Sequence, residues 1–171
     1  MAALEIETVA LRRLVDGYAR AVDRGDVDGF VELFEPDAVL QVFYRGEGEG
    51  PPTESRGHAR LGEIPTRVQT RYDRTFHFVG NHLCDVHGDE ATGEAYCLAH
   101  HLTRGPQGGT DYVMHIRYQD VYRRRPGEAW RIAHRKVLVD WTELRTALPA
   151  AAATGSAGAA ATPASGRPYT T

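Results

Sequence analysis

The chain has only two cysteines, Cys84 and Cys97, in 171 residues. A secreted disulfide scaffold of this length carries more. The two are not spaced Cys-x-x-Cys, which removes a zinc knuckle and a thioredoxin-type redox pair. Both lie in apolar, strand-like surroundings and read as small buried hydrophobes. No apolar run approaches the ~18 residues of a membrane helix. Basic runs are also missing: 20 basic against 23 acidic side chains leave a net charge of −3, which gives no footprint for nucleic acid. The opening residues, Met1-Ala2-Ala3-Leu4-Glu5-Ile6-Glu7, carry acid where a signal peptide carries positive charge. The expectation is a cytoplasmic protein with neither a nucleic-acid nor a membrane partner.

Eight histidines are present. No His-x-x-x-His falls on an expected helix, and no His/Cys cluster has zinc spacing. His82 and His87 read as solvated groups beside a hairpin turn. Neither a metal nor an organic cofactor is expected. The glycine-rich stretch at 46–50 lacks a following Gly-Lys-Ser/Thr, and Glu47 and Glu49 would repel a phosphate. No internal repeat is visible.

With 42% hydrophobic and 25% charged residues, the composition is that of a globular domain. It changes sharply at Pro149. Residues 149–171 hold a single charge, Arg167, and break every few residues at Gly, Pro or Thr. The expected organisation is a folded domain over 1–148 followed by a disordered tail over 149–171. A domain of that size buries roughly two thirds of its unfolded surface, enough for one core and one pocket.

Leu11, Leu14, Val15, Tyr18 and Val22 recur at three- and four-residue steps and predict an amphipathic helix over 4–23 that Gly25 ends. A shorter helix follows, with Asp26 as N-cap and Val27, Phe30, Val31, Leu33 and Phe34 apolar. Residues 38–44 read as a strand and 45–56 as a loop. A third helix is expected between Gly57 and Asp73, with Leu61, Ile64 and Val68 inward and Pro65 as a break point. From Thr75 the pattern is β: 75–86, 91–103, 111–124 and 130–141, separated by glycine-rich or polar turns, predict an antiparallel meander. Helices first and strands later imply α+β. The expected architecture is a cone-shaped, curved mixed or antiparallel sheet with three N-terminal helices enclosing a pocket.

Four pieces of sequence carry a family resemblance. They are Tyr18-x4-Asp23-x2-Asp26, Phe34-x2-Asp37-Ala38, the run Thr75-Phe76-His77-Phe78-Val79-Gly80-Asn81, and Trp130-Arg131-Ile132-x2-Arg135-x4-Asp140-Trp141. In this order they resemble a SnoaL-like domain of the nuclear transport factor 2 superfamily, over about Leu11 to Trp141. That superfamily includes scytalone dehydratase, a bile-acid dehydratase, a hexachlorocyclohexane dehydrochlorinase, polyketide cyclases, a steroid isomerase and non-catalytic binding domains.

Taken alone, Asp23 is a helix-end carboxylate in the company of Asp26 and Asp28, disfavoured by the helix dipole unless partnered or solvated. The resemblance implies that it pairs with a histidine, and that His77 is that histidine. A carboxylate at one imidazole nitrogen fixes the tautomer and raises the basicity of the other. Tyr18 is on its own a core residue; the resemblance implies a hydroxyl donating to a substrate carbonyl. His100 and His101 are adjacent in a strand and face opposite sides. Glu94, Tyr96, Leu98 and His100 share one face, and Ala95, Cys97, Ala99 and His101 share the other. The second set suits a pocket wall, so His101 is expected inward. Arg135 lies in the basic stretch His134-Arg135-Lys136; the resemblance implies a role beside a leaving group or substrate anion.

The resemblance implies a cofactor-independent lyase or isomerase, dehydratase- or cyclase-like, acting on a small apolar oxygenated ring compound. The alternative is a non-catalytic ligand-binding or assembly domain, since fold alone does not decide function. A binder needs no Asp23–His77 hydrogen bond, and an assembly subunit should have its cavity filled. Tyr112, Ile116, Tyr118 and Tyr122 offer apolar area on the long strand, which predicts a homodimer or homotrimer through that face.

Overall fold

The structure is a computed structural model that describes residues 2–44, 50–105 and 108–148. The expected tail lies outside them, as do residues 45–49 of the expected loop. The chain opens with α1 (Ala2–Arg24) and α2 (Val27–Val31), then forms β1 (Phe34–Tyr44) and the short β2 (Thr53–Arg56). Two further helices follow, α3 (Gly57–Leu61) and α4 (Glu63–Arg71). The chain ends in β3 (Arg74–His87), β4 (Glu90–Gly105), β5 (Gly108–Arg123) and β6 (Arg131–Ala147).

The α+β expectation holds in outline, with three corrections. The third helical region is two helices, divided at Gly62 rather than at Pro65. Pro65 sits in the first turn of α4, where a missing N–H costs nothing. The expected loop contains β2, which is too short and polar to signal itself. The third correction concerns shape. The six strands run β2-β1-β6-β5-β4-β3, so β2 and β3 stand at opposite edges with no pairing between them. Closing a sheet requires its edges to pair, and here a four-residue strand forms one edge. The sheet is therefore open, and the expected curved cone does not form.

Pairing is antiparallel except between β1 and β6, which run parallel. The first strand of the chain is thereby inserted beside the last. Bulges re-aim side chains within β3 and β6. Between Gly80 and Leu83 the ladder slips, and Asn81 takes φ 48°. Asn tolerates that left-handed region better than most residues. Before the slip His77 and Val79 are turned away from solvent; after it His82, Cys84 and Val86 are. A second slip, opposite Val121 and Tyr122, lets both Ile132 and Arg135 of β6 be fully buried.

One sheet face carries the core. Leu11, Val15, Tyr18 and Val22 of α1 pack with Phe30 and Phe34 against Tyr118, Tyr122 and Ile132. This corrects the expected subunit face: Ile116, Tyr118 and Tyr122 are 6%, 1% and 0% exposed and belong to the core. The exposed apolar side chains of the sheet include Phe76, Phe78, Tyr96, Leu98 and Trp141.

Inside this apolar core lies a buried ion pair. Arg135 forks onto Asp120 through Nε (2.8 Å) and Nη2 (2.6 Å), with neither side chain exposed. Tyr122 donates to the same carboxylate at 2.7 Å. The guanidinium also stacks on two rings, Tyr18 at 4.2 Å and Tyr118 at 4.5 Å. Removing one member strands a charge in the core. Asp120→Ala is expected to cost about 3–5 kcal/mol, read as a fall in the urea unfolding midpoint. An apolar replacement of both members should recover part of the loss; a wild-type midpoint for Asp120→Ala contradicts this account.

Candidate active site

The site begins where α1 stops. Gly25 adopts φ 66°, and Gly25 N–H and Asp26 N–H donate back to the carbonyls of Val22 and Ala21. This is a glycine-terminated helix end. Gln69 of α4 donates to the Val22 carbonyl at 2.9 Å. A β-carbon on residue 25 would sit 3.0 Å from its side chain. Glycine here serves both the turn and the approach of α4. The termination leaves Asp23 in the last turn of α1, facing the start of β3.

Asp23 grips residue 77 at two points. Its Oδ2 accepts the His77 main-chain N–H at 2.9 Å, and its Oδ1 accepts Nδ1–H at 2.7 Å. Because the carboxylate accepts at Nδ1, the proton resides there and Nε2 carries the basic lone pair. The His77 side chain is 6% exposed and that of Asp23 21%. Burial pushes the Asp23 carboxyl up. The hydrogen bonds from the His77 ring and main chain outweigh this and hold it below the usual carboxylate range.

His101 is buried beside this pair, as strand parity predicts, with its ring centroid 5.6 Å from that of His77. Its Nδ1 donates to the Tyr112 carbonyl at 3.2 Å. Its outer side is covered by Tyr72, centroids 4.6 Å apart. Burial, with the neighbouring His77 adding to it, lowers the His101 pKa and favours neutral imidazole. His100 faces the other way and meets Asp111 at 2.7 Å.

These groups border a cavity of about 330 Å³, at the small end for a ligand pocket. Tyr18, His77 and His101 line it, with Leu40, Val42, Ile64, Val68, Met114, Ile116, Val137 and Val139 as apolar walls. Tyr18 is packed among Phe30, Phe34 and Tyr118. Burial pushes its hydroxyl up to about 12 against the opposing pull of Arg135, so it is a neutral donor.

Four of the five expected site residues are thus drawn together around the cavity, with Asp23 standing behind His77. Arg135 is placed differently. It lies under the rings of Tyr18 and Tyr118 and is not among the lining residues. Burial alone would lower its pKa, but Asp120 more than compensates and keeps it cationic. Ala95, Cys97 and Ala99 are buried as parity predicts, yet they belong to the core cluster with Tyr18 and Tyr118 and do not line the cavity. His82 is half-buried and meets the Tyr122 hydroxyl at 3.3 Å, so it is not the solvated group expected.

Sequence reasoning missed Asp120, although it sits between Tyr118 and Tyr122 at a period of two. A carboxylate on a buried strand face requires a partner. It also missed Arg67, Arg71, Tyr44 and Tyr72, which line the cavity from α4, its end and β1. Among the described residues, no three His, Cys, Asp or Glu side chains are grouped so as to hold a metal ion. No helix among them is long and apolar enough to cross a membrane.

Residues 6–136 match the SnoaL-like domain family, and the chain belongs to that family. A comparison with curated proteins gives no match. Among solved structures, a protein of Novosphingobium aromaticivorans provisionally named an aromatic ring hydroxylase is 26% identical, TM-score 0.66, over 82% of this chain and 92% of that one. A second from the same organism, provisionally named a scytalone dehydratase, is 20% identical, TM-score 0.68, over 92% and 100%. A hexachlorocyclohexane dehydrochlorinase of Novosphingobium barchaimii is 19% identical, TM-score 0.64, over 80% and 88%. The last two show a shared fold.

Two of the shifted groups, Asp23 and His101, each give stability an acid-side dependence. Asp23 is depressed, so its contribution is present above its unfolded value near 3.8 and is lost as pH falls through the lower folded value. His101 is also depressed. Below its unfolded value of 6.5 the unfolded chain takes up a proton that the folded chain resists, so stability falls with acid there too. His101→Gln should flatten the loss of unfolding free energy from pH 6.5 downward, and Asp23→Asn should flatten it only below about pH 4. Urea titrations across pH check both slopes; an unchanged slope in either window refutes that assignment.

Proposed function

We propose that this chain is a cofactor-independent lyase or isomerase that acts by acid–base chemistry on a small, largely apolar, oxygenated ring compound. The observation that carries this reading is the two-point grip of Asp23 on His77 at the edge of the cavity. A core histidine needs only one satisfied nitrogen. This one has its tautomer fixed and its main chain tied to the same carboxylate, with its ring against an open space.

His77 Nε2 removes a proton α or vinylogous to a ring carbonyl. Tyr18 donates to the developing enolate oxygen, and its neutral hydroxyl is suited to that. Arg135 acts through Tyr18 and Tyr118, as a positioning residue behind the rings. In a dehydration the C–H electron pair becomes the new C=C bond while the C–O bond breaks. The proton held on His77 then leaves with hydroxide as water. His101 orients the departing group. An isomerisation returns the proton to a different carbon, and an aldol ring closure would use the same base.

The provisional names of two relatives, a scytalone dehydratase and an aromatic ring hydroxylase, concern ring compounds. They support the ring preference without fixing the reaction. The binding-domain alternative is disfavoured because a carrier gains nothing from the Asp23–His77 arrangement.

We also assign the exposed sheet face to a second copy of the chain, as a homodimer or homotrimer. Phe76, Phe78, Tyr96, Leu98 and Trp141 form an apolar surface of the kind that marks an interaction site. Trp141→Glu should reduce the mass seen by sedimentation equilibrium to that of one chain. A wild-type monomer removes the assignment.

Proton abstraction can be followed without knowing the natural substrate. Deuterium uptake from D2O into a panel of ring ketones, 2-tetralone among them, should exceed the buffer rate for at least one member. His77→Ala and Asp23→Ala should each lower that enzymatic rate at least about a hundredfold, as expected for loss of a general base, with the fold retained by circular dichroism. Full activity in both variants would retire the mechanism.

A further inference from the structure

The cavity is one-sided in its charge. Arg67, Arg71, His77 and His101 line it, and among the described lining residues there is no carboxylate. Asp23, which accepts hydrogen bonds from His77, stands behind it. The fixed cations among the lining residues are Arg67 and Arg71, both on α4. Arg67 and Arg71 are four residues apart, so they lie on one side of that helix, and both are exposed at the cavity mouth. A like-charged pair at this spacing weakens a helix. Many surface arginines, such as Arg12, Arg117 and Arg123, have a carboxylate partner. Others, such as Arg13 and Arg20, have none among the described residues, but only Arg67 and Arg71 of the unpaired ones line this cavity. Among the described residues neither Arg67 nor Arg71 has an ion-pair partner. Two guanidinium groups, mutually repulsive and aimed at one opening, are arranged for an anion that arrives from outside.

The path inward is continuous. The Arg71 guanidinium lies 5.4 Å from the Tyr72 ring centroid. Tyr72 packs on His101, and His101 on His77, with centroid separations of 4.6 Å and 5.6 Å. Beyond the arginines the walls are apolar: Val42, Ile64, Val68, Met114 and Val139. The cavity is thus cationic at its mouth, apolar along its walls and basic at one inner edge.

We infer that the ring compound carries a carboxylate, that Arg67 and Arg71 hold this group at the mouth, and that the ring lies inward with its reacting carbon toward His77. This deepens the acid–base reading and rests on it for the orientation of the ring. A guanidinium matches a carboxylate in planar, two-point geometry. A ring acid also stays charged at neutral pH, so the mouth selects it over the neutral ring alcohols and ketones that the walls alone would accept. Release of the arginine repulsion adds to the preference.

A matched pair of probes isolates the carboxylate: 2-naphthoate and 2-naphthol, titrated calorimetrically at pH 7 against the full chain. The naphthoate should bind about tenfold tighter, the scale of two exposed ion pairs. Arg67→Gln/Arg71→Gln should erase that difference while leaving the naphthol affinity unchanged, which also shows that the variant is folded. Raising salt from about 0.02 M to about 0.5 M should weaken naphthoate alone. Naphthoate binding no tighter than naphthol, failure of both to bind, or a preference that survives in the double variant overturns the inference. Failure here is separable from failure of the catalytic reading. His77-dependent deuterium uptake without a naphthoate preference removes only the arginine assignment. A preference without such uptake removes only the chemistry.

Discussion

The site depends on one carboxylate at an unfavourable place. Asp23 lies at the negative end of α1, where the helix dipole opposes its charge. It is held there by donors from β3, one from the main chain and one from the imidazole of His77. The same contacts that make the charge tolerable fix the tautomer of His77. Helix end and strand start are therefore joined through the His77 imidazole itself. Stability and the proposed chemistry draw on one set of hydrogen bonds, and the free imidazole nitrogen is oriented before any ligand enters.

Around this pair the protein keeps its charges in separate compartments. Arg135 and Asp120 are sealed in the core under Tyr18 and Tyr118. Asp23 and His77 occupy the boundary between core and cavity. Arg67 and Arg71 stand at the entrance. The buried pair is too deep to meet a ligand, so its influence passes through the two phenol rings it stacks on. The division also accounts for the neutral state of His101. It lies in apolar surroundings beside another imidazole, where a further proton is disfavoured.

Much of this was legible in the chain. The three- and four-residue spacing of Leu11, Leu14, Val15, Tyr18 and Val22 located α1, because helical burial imposes that period. Parity separated His100 from His101, because successive strand residues must face opposite ways. The pairing of Asp23 with His77 came from family resemblance, and the geometry now accounts for it physically. What escaped was set by long-range pairing. The parallel contact of β1 with β6 leaves no local mark, so the order of strands and the open edges of the sheet could not be read. Tyr118 and Tyr122 read as interface area on apolar character alone, but aromatic rings fit a core equally well; Asp120 between them was the unused clue. The Gly80–Leu83 slip reversed parity inside one strand and turned His82 inward, which no periodic reading anticipates. Arg67 and Arg71 sit on the border of an amphipathic helix, where sequence alone cannot tell a solvated charge from one that faces an opening.

The β1–β6 pairing sets Leu40 against Arg135 and Val42 against Val137. Both partners of the second pair are walls of the cavity. A nascent chain leaving the ribosome has the whole helical half, including the acid that will hold the histidine, long before it has the strand that finishes the chamber. Loop closure over such a span is slow compared with local helix formation. The ability to admit a guest is thus acquired only after β6 has been made, and chains translated short of it carry Asp23 and His77 without the compartment they border.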